Sequence, residues 1–299
     1  SLFLVGLAVL YGVMGTLSMA DIADKLALVA ERDRALLHAG AAILAVAFLI
    51  KAAIWPLNAW LLPAYTSTSA PVAALFVLMT KVGFYALFRL WTLLFSDDAG
   101  ASAHFGGEVL LTGGLLTLAF GAIGLLASIR LERIAAFSVI VTAGTLMAAL
   151  GMKATGLSAA ALFYLVSATL SAGLLFLLLD LVKRTRVEGL ARRRETDIQP
   201  DEDDNLDDDQ VPLIGRVFPM SMALLGLGFI VCALLVAGLP PLSGFLAKLS
   251  LLSAAVRTMD TAPGSAWLLI ALLLLAGLFA TISLVRAGIH HFWAKGGRS

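Results

Sequence analysis

FLIKAAIWPLNAWLLPAY, residues 48–65, sets two requirements against each other. The stretch is apolar enough to continue a membrane helix that begins near residue 36, yet it carries Lys51, Pro56 and Pro63. Proline removes a backbone donor and clashes with the preceding turn. In hydrocarbon the carbonyls it frees must find protein or water. The segment is therefore predicted to be a broken membrane helix with a lysine just before the break. AGLPPLSGFLAK, residues 237–248, repeats the pattern with Pro240, Pro241, Gly244 and Lys248. Paired interrupted helices are the best sequence pointer to the ion site of a transporter. Two ordinary proline kinks are the alternative.

The rest of the chain fits that setting. Its 299 residues are 60% hydrophobic and 14% charged, with a mean hydropathy of +0.96. That is too few charges to cover a soluble sphere, since soluble domains average about 25%. The composition excludes a soluble globular domain, a disordered chain and a disulfide scaffold. A net charge of +1 gives no global field for nucleic acid. The single cysteine, Cys232, lies in an apolar run and reads as a small buried hydrophobe. Ser1 opens an apolar run with neither an initiator Met nor a basic leader, which predicts a piece of a longer protein rather than a signal peptide.

A membrane helix needs about 20 mainly apolar residues. Eight stretches qualify, at 2–19, 36–65, 70–95, 108–129, 134–151, 158–182, 213–258 and 266–293. The expected fold class is thus an all-α polytopic membrane protein with two broken spans. The breaks sit five segments apart, as two units of an internal five-helix repeat would place them. The expected division is 1–95, the end of a first repeat, and 96–293, a second repeat. Lys25, Arg32, Arg34, Lys153 and Arg257 fall on the side reached after the first span. The other side collects Arg130, Arg133, Lys183, Arg184, Arg186, Arg192, Arg193, Arg194, Arg216, Arg286, Lys295 and Arg298. The positive-inside rule makes this second side cytoplasmic, as in a bacterial inner membrane. The polar stretch 183–212, with DEDDNLDDD at 201–209, reads as a solvated cytoplasmic loop, with cation collection or partner docking as the alternative.

Three lysines remain inside the spans: Lys51, Lys81 and Lys248. Lys81 lies about 16 Å into its helix at 1.5 Å per residue, near the middle of a core of roughly 30 Å. A charge there costs at least about 2.5 kcal/mol. Burial disfavours the ammonium form, so a buried lysine can exchange protons. Either the three form a proton relay or they pair with acidic groups outside this chain, because the central spans hold almost no Asp or Glu. Thr142, Thr145, Tyr164, Ser167, Thr169 and Ser171 share the same layer. They read as holders of a water wire or as glue between helices. His290 and His291 are adjacent and do not share a helix face. No metal-ligand spacing, phosphate loop or nucleophile elbow is present, so no cofactor and no metal are expected.

Taken together, FLIKAAIWPLNAWLLPAY at 48–65 and SAPVAALFVLMTKVGFYALFRL at 69–90 resemble the proton-translocating module shared by complex I antiporter-like subunits and Mrp-type antiporters. GAIGLLASIRLERIAAFSVIVTAGTL at 121–146 resembles the next hairpin of that family, and AGLPPLSGFLAK its second broken helix. ALFYLVSATLSAGLLFLLLDLV at 161–182 and VRAGIHHFW at 285–293 are similar to the D subunit of Mrp (Pha) monovalent cation/proton antiporters. The resemblance implies that Lys51, Lys81 and Lys248 hold the family's ionisable positions. It implies about five preceding helices, one following helix, and an essential glutamate in the preceding part as partner of Lys51. The family often carries histidine where Thr142 and Ser167 stand, so water held by hydroxyls has to replace imidazole here.

The expected function is a membrane subunit that moves protons along the lysines against Na⁺ or K⁺, beside other membrane subunits and lipid and without nucleic acid. A pumping subunit of a complex I-type NADH:quinone oxidoreductase is the alternative within the fold. A non-transporting scaffold is the alternative outside it, and the midplane lysines count against that.

Overall fold

The computed structural model describes residues 1–152, 154–197, 220–260 and 262–290, and the regular elements among these residues are all helices. In chain order the helices are α1 Leu2–Met14, α2 Met19–Leu26, α3 Glu31–Lys51, α4 Leu61–Ser67, α5 Ala70–Leu94 and α6 Gly107–Ala127. They continue with α7 Leu131–Gly151, α8 Thr155–Asp197, α9 Met220–Ala237, α10 Ser243–Arg257 and α11 Pro263–Gly288. Among the described residues, α3, α5, α6, α7, α8 and α11 are each long and apolar enough to cross a membrane. The bent pair α1–α2 adds a seventh span if counted as one. The remaining expected span is the broken pair α9–α10, whose halves do not qualify alone.

Several boundaries differ from the expectation. The first span stops at Met14, where Gly15 turns the chain at φ 70, and the short α2 leaves at 53° to α1. Lys25 and Asp21 pair on α2 at 2.9 Å, four residues apart. The expected loop 183–212 begins later, because α8 runs unbroken to Asp197. Residues 183–197 include five Arg, two Glu and Lys183, which are good helix formers, and extending an existing helix needs no new nucleus. Arg184 also pairs with Asp180 at 2.7 Å across one turn. The acidic run 201–209 and the tail from residue 291 onward lie outside the described residues.

At the centre stands α7. Nearly all of its residues are buried, from Leu131 to Gly151. A helix that is apolar all round must be surrounded by others, and α7 is. Its closest neighbour is α6. A Cβ on Gly144 would come within 2.8 Å of the Gly114 carbonyl and of Leu118 Cα, so the two backbones touch where glycine permits it. Ser138, Thr142 and Thr145 therefore project into packed protein rather than lipid, and all three are buried.

Candidate functional site: two lysines and one cavity

Lys81 sits on α5 and reaches α7. Its side chain is buried, at 4% exposure. The ammonium donates to Thr142 Oγ1 at 2.5 Å and to the Val139 carbonyl at 3.2 Å. Thr142 in turn donates to the same carbonyl at 2.8 Å. Val139 serves both because a carbonyl oxygen has two lone pairs. These acceptors offset part of the desolvation that a buried ammonium suffers.

Lys248 sits on α10 and reaches back to the break. α9 ends at Ala237, and the last carbonyls of any helix lack intrahelical donors. The Lys248 ammonium donates to two of them, Ala237 at 2.6 Å and Val236 at 3.2 Å. A cation at a helix C-terminus also complements the negative end of the helix dipole. Leu234 O is satisfied separately by the amides of Gly238 and Leu239, at 2.9 and 3.0 Å. Gly238 carries φ +75, and a Cβ there would lie 2.9 Å from Lys248 Cε and 3.0 Å from Nζ. Glycine is thus required twice over, by the left-handed backbone and by the lysine lying against it.

Beside Thr142 and Lys248 lies a cavity of about 20 Å³. That is room for about one water. Ser138 and Thr142 of α7, Tyr164, Ser167 and Ser171 of α8, and Lys248 all line it. Lys81 therefore connects to the cavity through one hydroxyl, and Lys248 opens on it directly. Ser167 donates to Ser243 at 3.2 Å, which ties α8 to the first turn of α10. Tyr164 and Thr145 are both buried. Thr145 donates to Val141 O at 2.8 Å.

Not every expected residue gathers here. Thr169 donates to Leu165 O of its own helix at 2.5 Å and is not on the cavity. Lys51 ends α3 with an exposed side chain. Its Cβ rests on α5 at Gly83, two residues from Lys81, but its side chain does not share the cavity. Of the prolines, Pro56, Pro240 and Pro241 lie in the breaks, and the bonds Trp55–Pro56 and Pro240–Pro241 are cis. Pro63 does not break a helix. It stands in the first turn of α4, where a missing N–H has no intrahelical acceptor to lose. Gly244 is the buried point where α10 presses on α9, since a Cβ there would collide with the Leu235 carbonyl. Ser138 and Ser243 are additions to the expected set. Ser138 lies four residues before Thr142 and so shares its helix face. Ser243 falls inside the second proline motif.

The chain is similar to proteins of known kind. It is 49% identical over 303 residues to the D subunit of a probable K(+)/H(+) antiporter of Rhizobium meliloti, covering 99% of this chain and 55% of that one. It is 31% identical over 296 residues to the D subunit of the Na(+)/H(+) antiporter of Alkalihalophilus pseudofirmus, covering 98% and 53%. The chain thus spans about half the length of these curated relatives. In fold it matches a chain of the Mrp complex from Dietzia sp. DQ12-45-1b, with a TM-score of 0.74 at 21% identity, over 98% of this chain and 48% of that one. A family model for the transmembrane part of NADH:quinone oxidoreductase and Mrp antiporter subunits matches residues 1–280, so this multi-pass membrane chain belongs to that family.

Proposed function

We propose that the chain is part of the D-type subunit of a multisubunit monovalent cation/proton antiporter in a bacterial inner membrane, and that it carries protons between Lys81 and Lys248. The observation that supports this most is the shared cavity. The Lys81 ammonium is bonded to Thr142, and Thr142 and the Lys248 side chain line the same water-sized space. A scaffold would gain nothing from holding two lysines there. In this reading the 96–293 half is the second repeat, and Lys51 in the 1–95 half feeds protons from the first. Lys51 meets its acidic partner in another part of the protein or in a neighbouring subunit. The transported cation is K⁺ or Na⁺, and the K⁺-named relative has the higher identity.

A relay works here by alternate occupancy. A proton leaves Lys81 through the Thr142 hydroxyl to water in the cavity and then reaches Lys248. When Lys248 gives up its charge, its grip on the α9 carbonyls loses the charge-assisted part. The break is then free to re-form around water. The test is cation/proton exchange in everted membrane vesicles carrying the intact complex. Lys81→Ala and Lys248→Ala should each lose exchange while the complex still assembles. Near-normal exchange in both variants would end the relay reading.

A further inference from the structure

At the end of the bundle where α6 meets α7, three separate stretches bring cations together. Arg130 and Arg133 lie at the start of α7, just after the α6–α7 turn, are exposed and form no ion pair among the described residues. Lys183, near the membrane end of α8, pairs with Glu132 at 2.7 Å and keeps 62% of its side chain exposed. From α11, Arg286 donates through Nη2 to the carbonyls of Ser128 at 2.5 Å and Leu126 at 3.0 Å. Ser283 closes Leu125 O in the same way at 2.7 Å. Arg286 thus lies within a few residues of Arg130 and still has unused N–H donors, since a guanidinium carries five. Beside it the outer face of α11 presents a shallow, open apolar groove bordered by Thr281, Ile282, Val285, Arg286 and Ile289. The opposite end mixes signs, with Asp21, Asp24, Glu31, Asp33, Asp97 and Asp98 beside Lys25, Arg32, Arg34 and Arg257.

We infer that this corner is a binding site for an anionic phospholipid, its headgroup phosphate held by Arg286, Arg130 and Arg133 and one acyl chain lying along Ile282, Val285 and Ile289. Two features point to that occupant. The apolar groove runs along a membrane-spanning helix, and it ends at a cluster of arginines at interfacial depth with positive charge in excess. Guanidinium groups match phosphate oxygens in geometry and charge. A zwitterionic headgroup would leave that excess uncompensated. The site stands apart from the relay and does not depend on it.

The test places a fluorophore at Ile282→Cys in the intact complex, Cys232 being buried. It reads quenching by brominated phosphatidylglycerol against brominated phosphatidylcholine in mixed vesicles. The parent should prefer the anionic lipid by about tenfold, given the known worth of a basic residue near an anionic surface. Arg130→Gln/Arg133→Gln should bring the preference close to one and leave cation/proton exchange unchanged. Equal quenching by both lipids in the parent would overturn the proposal. So would an unchanged preference in the double variant. Absence of quenching by either lipid would show that protein covers the groove, and would overturn it as well.

Discussion

The two breaks share a sequence grammar, lysine near proline in an apolar run, and solve the same problem differently. At the first, the α3 carbonyls are closed without the lysine. Ala52, Ala53 and Ile54 donate back to Phe48, Ile50 and Leu49 at 2.8 to 3.2 Å, and Trp60 Nε1 adds a bond to Ile50 O at 3.0 Å. The Trp55 amide leaves the break to donate to Thr117 on α6 at 2.9 Å. Lys51 is left with an exposed side chain. At the second, Lys248 closes the α9 carbonyls itself. The first break is therefore a fixed shoulder that presents its lysine outward, whereas the second is held by the charge that the transport reaction would move.

Exchanging the lysines should separate the two breaks most strongly. Lys248→Ala leaves two carbonyls without a donor, each worth about 1–3 kcal/mol when buried. Lys51→Ala removes no such bond. Both variants should lose exchange, but only Lys248→Ala should lower the melting temperature of the purified complex. Equal shifts in melting would mean that the two breaks are held alike. A smaller effect is expected where the backbone turns left-handed. The first break tolerates a Cβ there, since Ala53 sits at φ 56, whereas the second has Gly238 against the lysine. Gly238→Ala should cost about 1–2 kcal/mol in backbone strain and displace Lys248, slowing proton flux. Ala53→Gly should leave flux unchanged. Comparable flux loss in both would remove the distinction. Least affected should be Thr117→Val, which orphans the Trp55 amide at about 1 kcal/mol. Its stability loss should be recovered by Thr117→Ser, which restores the acceptor. Failure of Ser to recover it would show that the methyl packing of Thr117 matters rather than its oxygen.

Much of this is legible in the sequence, because hydropathy and proline leave strong local signals. The spans, both breaks and the three lysines follow from apolar runs interrupted by residues that a bilayer penalises. What the sequence hides is long-range. Nothing local says that Lys81 meets Thr142 sixty-one residues away, or that Lys248 folds back onto the helix before it. The layer of hydroxyls is visible, but its sorting is not. Thr142 faces the cavity and Thr169 bonds its own helix, and only the rotation of each helix decides that. The length of α8 escapes a hydropathy reading for a related reason. Charge marks where α8 leaves the membrane, not where it ends, because Arg, Glu and Ala extend a helix well once it is outside.

On the relay reading, the Thr142 hydroxyl is what joins Lys81 to the cavity that Lys248 lines. Thr142→Val in the intact, reconstituted complex keeps the shape and removes only that oxygen. The measurement is proton flux driven by a pH step, compared with the unsubstituted complex. A hydrogen bond to a charged group is worth about 1.5–3 kcal/mol, so flux should fall about tenfold or more while both lysines remain in place. Flux equal to that of the unsubstituted complex, with Lys81 and Lys248 both still required for exchange, would contradict a relay through Thr142.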